Sequence, residues 1–271
     1  MSPQDLARAA RVASQAARAA GAFLMKHAGQ PHAVRTKRSA IDLVTAIDRA
    51  SEQLIRRRLE AVYPTFGVLG EEHGLRRAQA PYRWIVDPLD GTMNFVHGVP
   101  LFGVSIALYR RATPLVGVIY DPMRRELFVA VKGRGASLNG RRISVSRTRT
   151  LAKSLLSTGF SSRFRTQPDE YLRWFKTFES SAHAVRRLGT SVLCLAYVAA
   201  GRLDAFYEQE LWPWDTAAGI LLVEEAGGRV SGFDDRAPVL EAGQLVASNG
   251  RVHREILRVL QARSSRVTVS R

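Results

Sequence analysis

The chain has 271 residues, 46% hydrophobic and 24% charged, a globular composition that excludes wholesale disorder and allows one large core or two smaller ones. Lys and Arg number 40 against 24 Asp and Glu, a net charge of +16, yet no block of five like charges and no zinc-finger, homeodomain or RRM signature accompanies it. An arginine-rich background explains the excess more simply than nucleic-acid binding does, and no stretch reaches the ~18 apolar residues of a membrane span.

Residues 3–28 carry apolar side chains at helical spacing, and Gly29 and Pro31 stop that helix. The same 28 residues lack the continuous apolar core of a secretory signal, so a cytoplasmic protein is expected. A second helix is predicted over 47–63. Short apolar runs bounded by turn residues then read as strands at 67–69, 84–86, 102–108, 114–119 and 126–131. Residues 104–108 alternate, as in an antiparallel sheet with one buried face. Residues 133–136 read as a strand-joining turn; a dinucleotide loop would need a third glycine and a following helix. The polar, basic stretch 141–150 marks a boundary between an α+β half, 1–145, and an α/β half, 146–271. Strands at 155–157, 183–186, 202–207 and 244–247 alternate there with helices at 168–180, 191–200, 216–226 and 251–263. The single cysteine, Cys194, lies in an apolar run and is expected to be a small buried hydrophobe. Residues 264–271 are expected to be loose.

The chemistry concentrates in Trp84-Ile85-Val86-Asp87-Pro88-Leu89-Asp90-Gly91-Thr92-Met93-Asn94-Phe95. A buried strand delivers Asp87 to its end, and Pro88 holds Asp87 extended. Two carboxylates three apart, on either side of a Pro-Leu turn, can point into one cleft. Gly91 and Thr92 then offer backbone N–H groups to an anion where a short helix begins. Close carboxylates repel unless a cation lies between them, and hard oxygen ligands suit Mg2+. The plainer alternative is a simple turn. Three more acidic points accompany this run: Gly70-Glu71-Glu72, Asp42-Leu43-Val44-Thr45-Ala46-Ile47-Asp48, and Trp214-Asp215-Thr216-Ala217-Ala218-Gly219. Thr45, Asp48 or Asp215 taken alone could be a helix cap. His73 and His97 are read as solvent-facing and loop residues rather than ligands, and Trp212 and Trp214 as packing for a helix entry.

Together and in this order, the four elements resemble those of the inositol monophosphatase family of Mg2+-dependent, lithium-sensitive phosphatases. The run 87–95 is similar to the first family signature and 214–219 to the second, and the likeness extends from about residue 5 to 262. The resemblance implies a layered α-β-α-β-α sandwich, a homodimer, and two to three Mg2+ ions. It implies that Glu71, Asp87 and the Leu89 carbonyl hold a first metal, and that Asp87, Asp90 and Asp215 hold a second. Glu71 would also serve a weaker third site, with Asp48 nearby through water. Gly91 and Thr92 would bind phosphate, the Thr92 hydroxyl would orient the attacking water, and Lys37 would sit on a mobile loop. Asp90, Gly189, Thr190, Ser191 and Glu208 would contact the alcohol half of the substrate.

The expected reaction is hydrolysis of a small phosphate monoester by water, without a phosphoenzyme, with inositol 1-phosphate favoured. Fructose 1,6-bisphosphate, NADP, 3′-phosphoadenosine phosphates and histidinol phosphate remain open, and the segment 160–165 falls where family members differ. Bacterial relatives also act as scaffolds in transcription antitermination and RNA maturation, so transcription machinery or RNA is a second partner class.

Overall fold

The computed structural model describes residues 1–30, 34–36 and 43–262; Lys37, Asp42 and residues 264–271 lie outside them. The chain opens with α1 (Pro3–His27). Ser2 and Asp5 cap each other's backbone N–H groups at its start, and Pro3 follows where a missing N–H costs nothing. Its buried stripe is alanine, Ala9, Ala13, Ala16, Ala17 and Ala20, which lets the helix lie close on a sheet. After the antiparallel pair β1 (Val34–Thr36) and β2 (Leu43–Thr45) comes α2 (Ala46–Val62).

An eight-stranded sheet follows: β3 (Gly67–Gly70), β4 (Gly74–Arg76), β5 (Tyr82–Asp90), β6 (Gly103–Arg110), β7 (Thr113–Asp121), β8 (Glu126–Val131), β9 (Gly135–Leu138) and β10 (Arg141–Ile143), with the short helix α3 (Thr92–Val96) between β5 and β6. Its order is β10-β9-β8-β7-β6-β5-β3-β4, antiparallel except where β3 pairs β5. The second half supplies β11 (Leu155–Thr158), α4 (Pro168–Ser181), β12 (Ala184–Arg186), α5 (Ser191–Ala199), β13 (Ala205–Gln209), α6 (Pro213–Glu225), β14 (Arg229–Ser231), β15 (Gln244–Ser248) and α7 (His253–Gln261). These strands form a second sheet, β12-β11-β13-β15-β14.

Three apolar clusters define five layers. One joins α1 and α2 to the first sheet, and one joins α4 and α7 to the second. Between the sheets lie α5 and α6, with Val192–Ala199 and Thr216–Val223 buried without a break. A helix packed on both sides has no polar face, hence the near-continuous apolar runs. The fold is thus the expected α-β-α-β-α sandwich. Within the stretch 141–150, residues 141–143 form β10, the edge of the first sheet. The edge and hairpin strands β4, β9, β10 and β14 are each three or four residues long, too short to show a period.

Gly117 on β7 sets how closely α6 approaches: a Cβ there would lie 2.6 Å from the Ala218 carbonyl oxygen. The start of α6 is tied to the sheet by Ser105 Oγ donating to Trp214 O (3.2 Å) and Tyr109 Oη donating to Ala217 O (3.0 Å).

Candidate functional site

Residues i and i+3 of a regular strand face opposite sides of its sheet. On β5, however, Asp87 pairs with Ser105 while Asp90 pairs with Gly103, three steps against two. This bulge resets the alternation and brings both carboxylates to one side. The expected Pro-Leu turn is therefore corrected to a bulge within a continuing strand, a position where Pro88 is tolerated. Leu89 N–H donates to Asp87 Oδ1 at 3.0 Å. Asp215 is in the first turn of α6, where its carboxylate accepts the Trp212 N–H at 2.7 Å and meets the positive end of the helix dipole. It is not the cap: the helix starts earlier than expected, at Pro213.

Carboxylate oxygens of Asp87, Asp90 and Asp215 all lie within 4.8 Å of one another. Burial first, then the charges of Glu71, Asp90 and Asp215, push Asp87 well above the usual carboxylate range. Burial, then Asp90, raises Asp215 likewise. Asp90 is pushed up to about 6 by burial, although Thr190 Oγ1 and the Val192 N–H (3.1 Å) both donate to its Oδ2. Three crowded acids, one buried and two partly buried, resist ionisation unless a cation joins them, and an all-oxygen donor set is what Mg2+ requires. The residues present therefore fit a hard divalent cation.

Several of the other expected residues lie beside this triangle. Asp48 is fully buried in the first turn of α2, and its Oδ1 accepts from Thr92 Oγ1 at 3.0 Å; Leu89 O lies 3.1 Å from the same hydroxyl. Gly91 takes φ +86°, the left-handed region open to glycine, and so starts α3 directly after the ligand strand. Across the cleft Thr190 caps α5, its Oγ1 accepting from Leu193 N–H at 3.2 Å. Ser191 Oγ donates to Glu208 Oε2 at 2.9 Å, and burial pushes Glu208 up to about 7. Asn94 Nδ2 donates to Leu101 O and Leu188 O, each at 2.8 Å, tying α3 to the chain just before Gly189. His97 is exposed, and Cys194 is buried with its thiol pushed up by burial, as expected. Trp212 and Trp214 stack at 5.5 Å beside the helix entry.

One residue that the motifs do not mark is Glu52. It is fully buried and accepts from Arg56 Nε (2.6 Å), Glu72 N–H (2.6 Å) and His73 N–H (3.3 Å). It thereby fixes the turn that carries Glu71. Its only sequence signal is the Glu52-Arg56 spacing on α2, which reads as a surface pair. His73 is exposed as expected, yet its Nδ1 lies 3.2 Å from Glu52. In the segment 160–165, Phe160 and Phe164 stack at 4.7 Å, and Arg163 pairs loosely with Glu210 at 3.9 Å.

The model of the inositol monophosphatase family matches residues 5–265. The chain belongs to that family. It is 44% identical over 256 residues to the Nus factor SuhB of Pseudomonas aeruginosa, covering 92% of this chain and 94% of the relative. It is 42% identical over 263 residues to the inositol-1-monophosphatase of Synechocystis, covering 96% and 91%. The solved structure of the extragenic suppressor protein SuhB from Bartonella henselae superposes with a TM-score of 0.88 at 40% identity, over 93% of this chain and 97% of that one. Members of this family are metal-dependent, in keeping with the acidic triangle. Among the described residues no helix is long and apolar enough to cross a membrane.

Proposed function

We propose that the protein is a Mg2+-dependent phosphatase of small phosphate monoesters, with inositol 1-phosphate its favoured substrate. The observation that carries this is the triangle of Asp87, Asp90 and Asp215. Asp87, Asp90 and Asp215 would hold one ion, and Glu71, Asp87 and the Leu89 carbonyl another. Bound there, Mg2+ supplies positive charge to the phosphate oxygens and the leaving oxygen and lowers the pKa of water.

The chain's own groups do the rest. The Thr92 hydroxyl has one hydrogen, which goes to Asp48 Oδ1 when the Leu89 carbonyl is committed to a cation. The Thr92 oxygen is then free to accept from a water and hold it in line with the phosphorus. Glu71 takes the proton that this water gives up, completing a general-base relay with Thr92 and Asp48. The N–H groups of Gly91 and Thr92 steady the phosphate. On the alcohol side, Asp90, Ser191 and Glu208 present two carboxylates and a hydroxyl, a donor–acceptor set matched to the hydroxyls of a polyol. Water adds to phosphorus, the P–O bond to the alcohol breaks, the leaving oxygen takes up a proton from solvent, and the products are the alcohol and inorganic phosphate.

The test is phosphate release from inositol 1-phosphate, fructose 1,6-bisphosphate, NADP, 3′-phosphoadenosine phosphate and histidinol phosphate, with and without Mg2+ and Li+. Turnover of the inositol ester that needs Mg2+, falls with millimolar Li+ and is lost in Asp90→Asn is expected. Wild-type turnover in Asp90→Asn removes the site assignment, and failure on every ester removes the phosphatase reading.

A second reading, a scaffold in transcription, draws on the Nus-factor name of the Pseudomonas relative and on the net charge of +16. It predicts RNA binding that weakens steeply with salt. Absence of binding at low salt removes its direct RNA form.

A further inference from the structure

Away from the acidic triangle the protein holds a cavity of about 460 Å3, within the range of small-molecule sites. It lies on the α6 side of the first sheet. Leu69, Ile85, Tyr109 and Ile220 give it an apolar floor, and Pro238 and Val239 roof it. Four charged side chains also line it: Arg83 and Arg111 from the sheet and its β6–β7 turn, Glu224 from α6, and Glu241 from the short turn before β15. None of the four makes an ion pair among the described residues, although two are basic and two acidic. The Arg83 guanidinium is incompletely satisfied. Its Nη2 donates to Ala78 O at 3.2 Å, but its Nε is buried with no partner. Burial, and after it the charges of Glu224 and Glu241, push the Tyr109 hydroxyl up.

A groove with an apolar floor, entered by a guanidinium with a buried spare N–H and rimmed by the exposed side chains of Arg111, Glu224 and Glu241, suits a dipolar guest. We propose that this cavity is a second ligand site, for a small molecule with an apolar body, an anionic head on Arg83 and Arg111, and an N–H or O–H donor toward Glu224 and Glu241. Its position gives it a route to the metal centre. Leu69 is two residues before Glu71, and Pro213 two before Asp215, so the cavity wall includes the roots of two of the ligand-bearing segments. Filling the cavity therefore biases the placement of both carboxylates. This coupling rests on the metal-centre reading; the binding site does not.

The probe is 1-anilinonaphthalene-8-sulfonate, which has an apolar body, an anion and an N–H. Fluorescence titration of the full chain should show one saturable site. Arg83→Gln should weaken it at least tenfold, and Ala237→Trp, which fills the cavity from an exposed roof position, should abolish it. Arg254→Gln, on the exposed face of α7, should leave it unchanged. Equal affinities in all four proteins, or no saturable binding, overturn the site, because the dye would then be reading surface arginines at large. The coupling is read by repeating the titration with saturating Mg2+. Linkage requires that each ligand change the other's affinity by the same factor, and a shift of threefold or more is expected. Identical dye affinities with and without Mg2+ overturn the coupling. Failure of Mg2+ to raise the melting temperature of the dye-free protein counts against the phosphatase reading instead.

Discussion

Replacing Gly117 by alanine tests whether the acidic triangle depends on how closely one helix lies on one strand. The new Cβ would stand 2.6 Å from the Ala218 carbonyl oxygen, where ordinary contact begins near 3.4 Å. The opposing atom is backbone, so no side chain can rotate away, and α6 must retreat by roughly 0.8 Å or β7 must bend by as much. Overpacking of this kind costs about 1–3 kcal/mol. At about 2–4 °C per kcal/mol for a chain near this size, the melting temperature should fall by roughly 5 °C. The same displacement strains the bonds from Ser105 and Tyr109 to the start of α6 and carries Asp215 off the triangle. Misplacing a catalytic group by about 1 Å can cost a hundredfold. A ten- to hundredfold loss in kcat/KM and a higher Mg2+ midpoint are therefore expected, measured by phosphate release and by thermal unfolding in EDTA and in Mg2+. A melting temperature within 1 °C of wild type, with kcat/KM and Mg2+ midpoint within twofold, would refute the idea that this contact sets the site.

Asp215→Asn should abolish stabilisation by Mg2+ yet leave the metal-free protein as stable as wild type or more so, since it removes one of three crowded acids while keeping an acceptor for the Trp212 N–H; thermal unfolding in EDTA decides this. Glu52→Ala strands the buried Arg56 guanidinium and two backbone donors, so a loss of about 3–5 kcal/mol is expected in urea unfolding. His253 is buried between Ser231 and Ser248, each 2.9 Å from a ring nitrogen, and burial lowers it to about 4 from 6.5. The unfolded chain takes up its proton first as pH falls, so stability present above pH 6.5 drains away toward pH 4, on the order of 2 kcal/mol. Urea midpoints across that range should flatten in His253→Gln.

The acidic residues of the candidate site were legible because each adjoins a recognisable local pattern: Asp87 follows an apolar run, Glu71 follows a short strand, and Asp215 lies next to a helical pattern. The bulge that lets Asp87 and Asp90 converge was not, because it depends on pairing with β6, a partner far along the chain. Glu52 and Arg56 were illegible for a different reason. A carboxylate and a guanidinium one turn apart in a polar helix look like a solvated pair, and the run Arg56-Arg57-Arg58 reads as surface charge. Only the fold shows that Arg56 turns inward, donating to Glu52 and Gly74 O while the helix around it stays polar. The central helices α5 and α6 were legible as helices, but their place between two sheets is a property of the whole chain.

Asp87 and Asp90 belong to the first third of the sequence, Asp215 to its last quarter. A ribosome working at about 5–20 residues per second needs on the order of ten seconds to pass from one to the other. Throughout that interval the first sheet can form, but its acidic pair lacks the third carboxylate. The triangle can close only once α6 has emerged and settled against Gly117. Closure of the longest loop between its three carboxylates is therefore a late event in the order of synthesis.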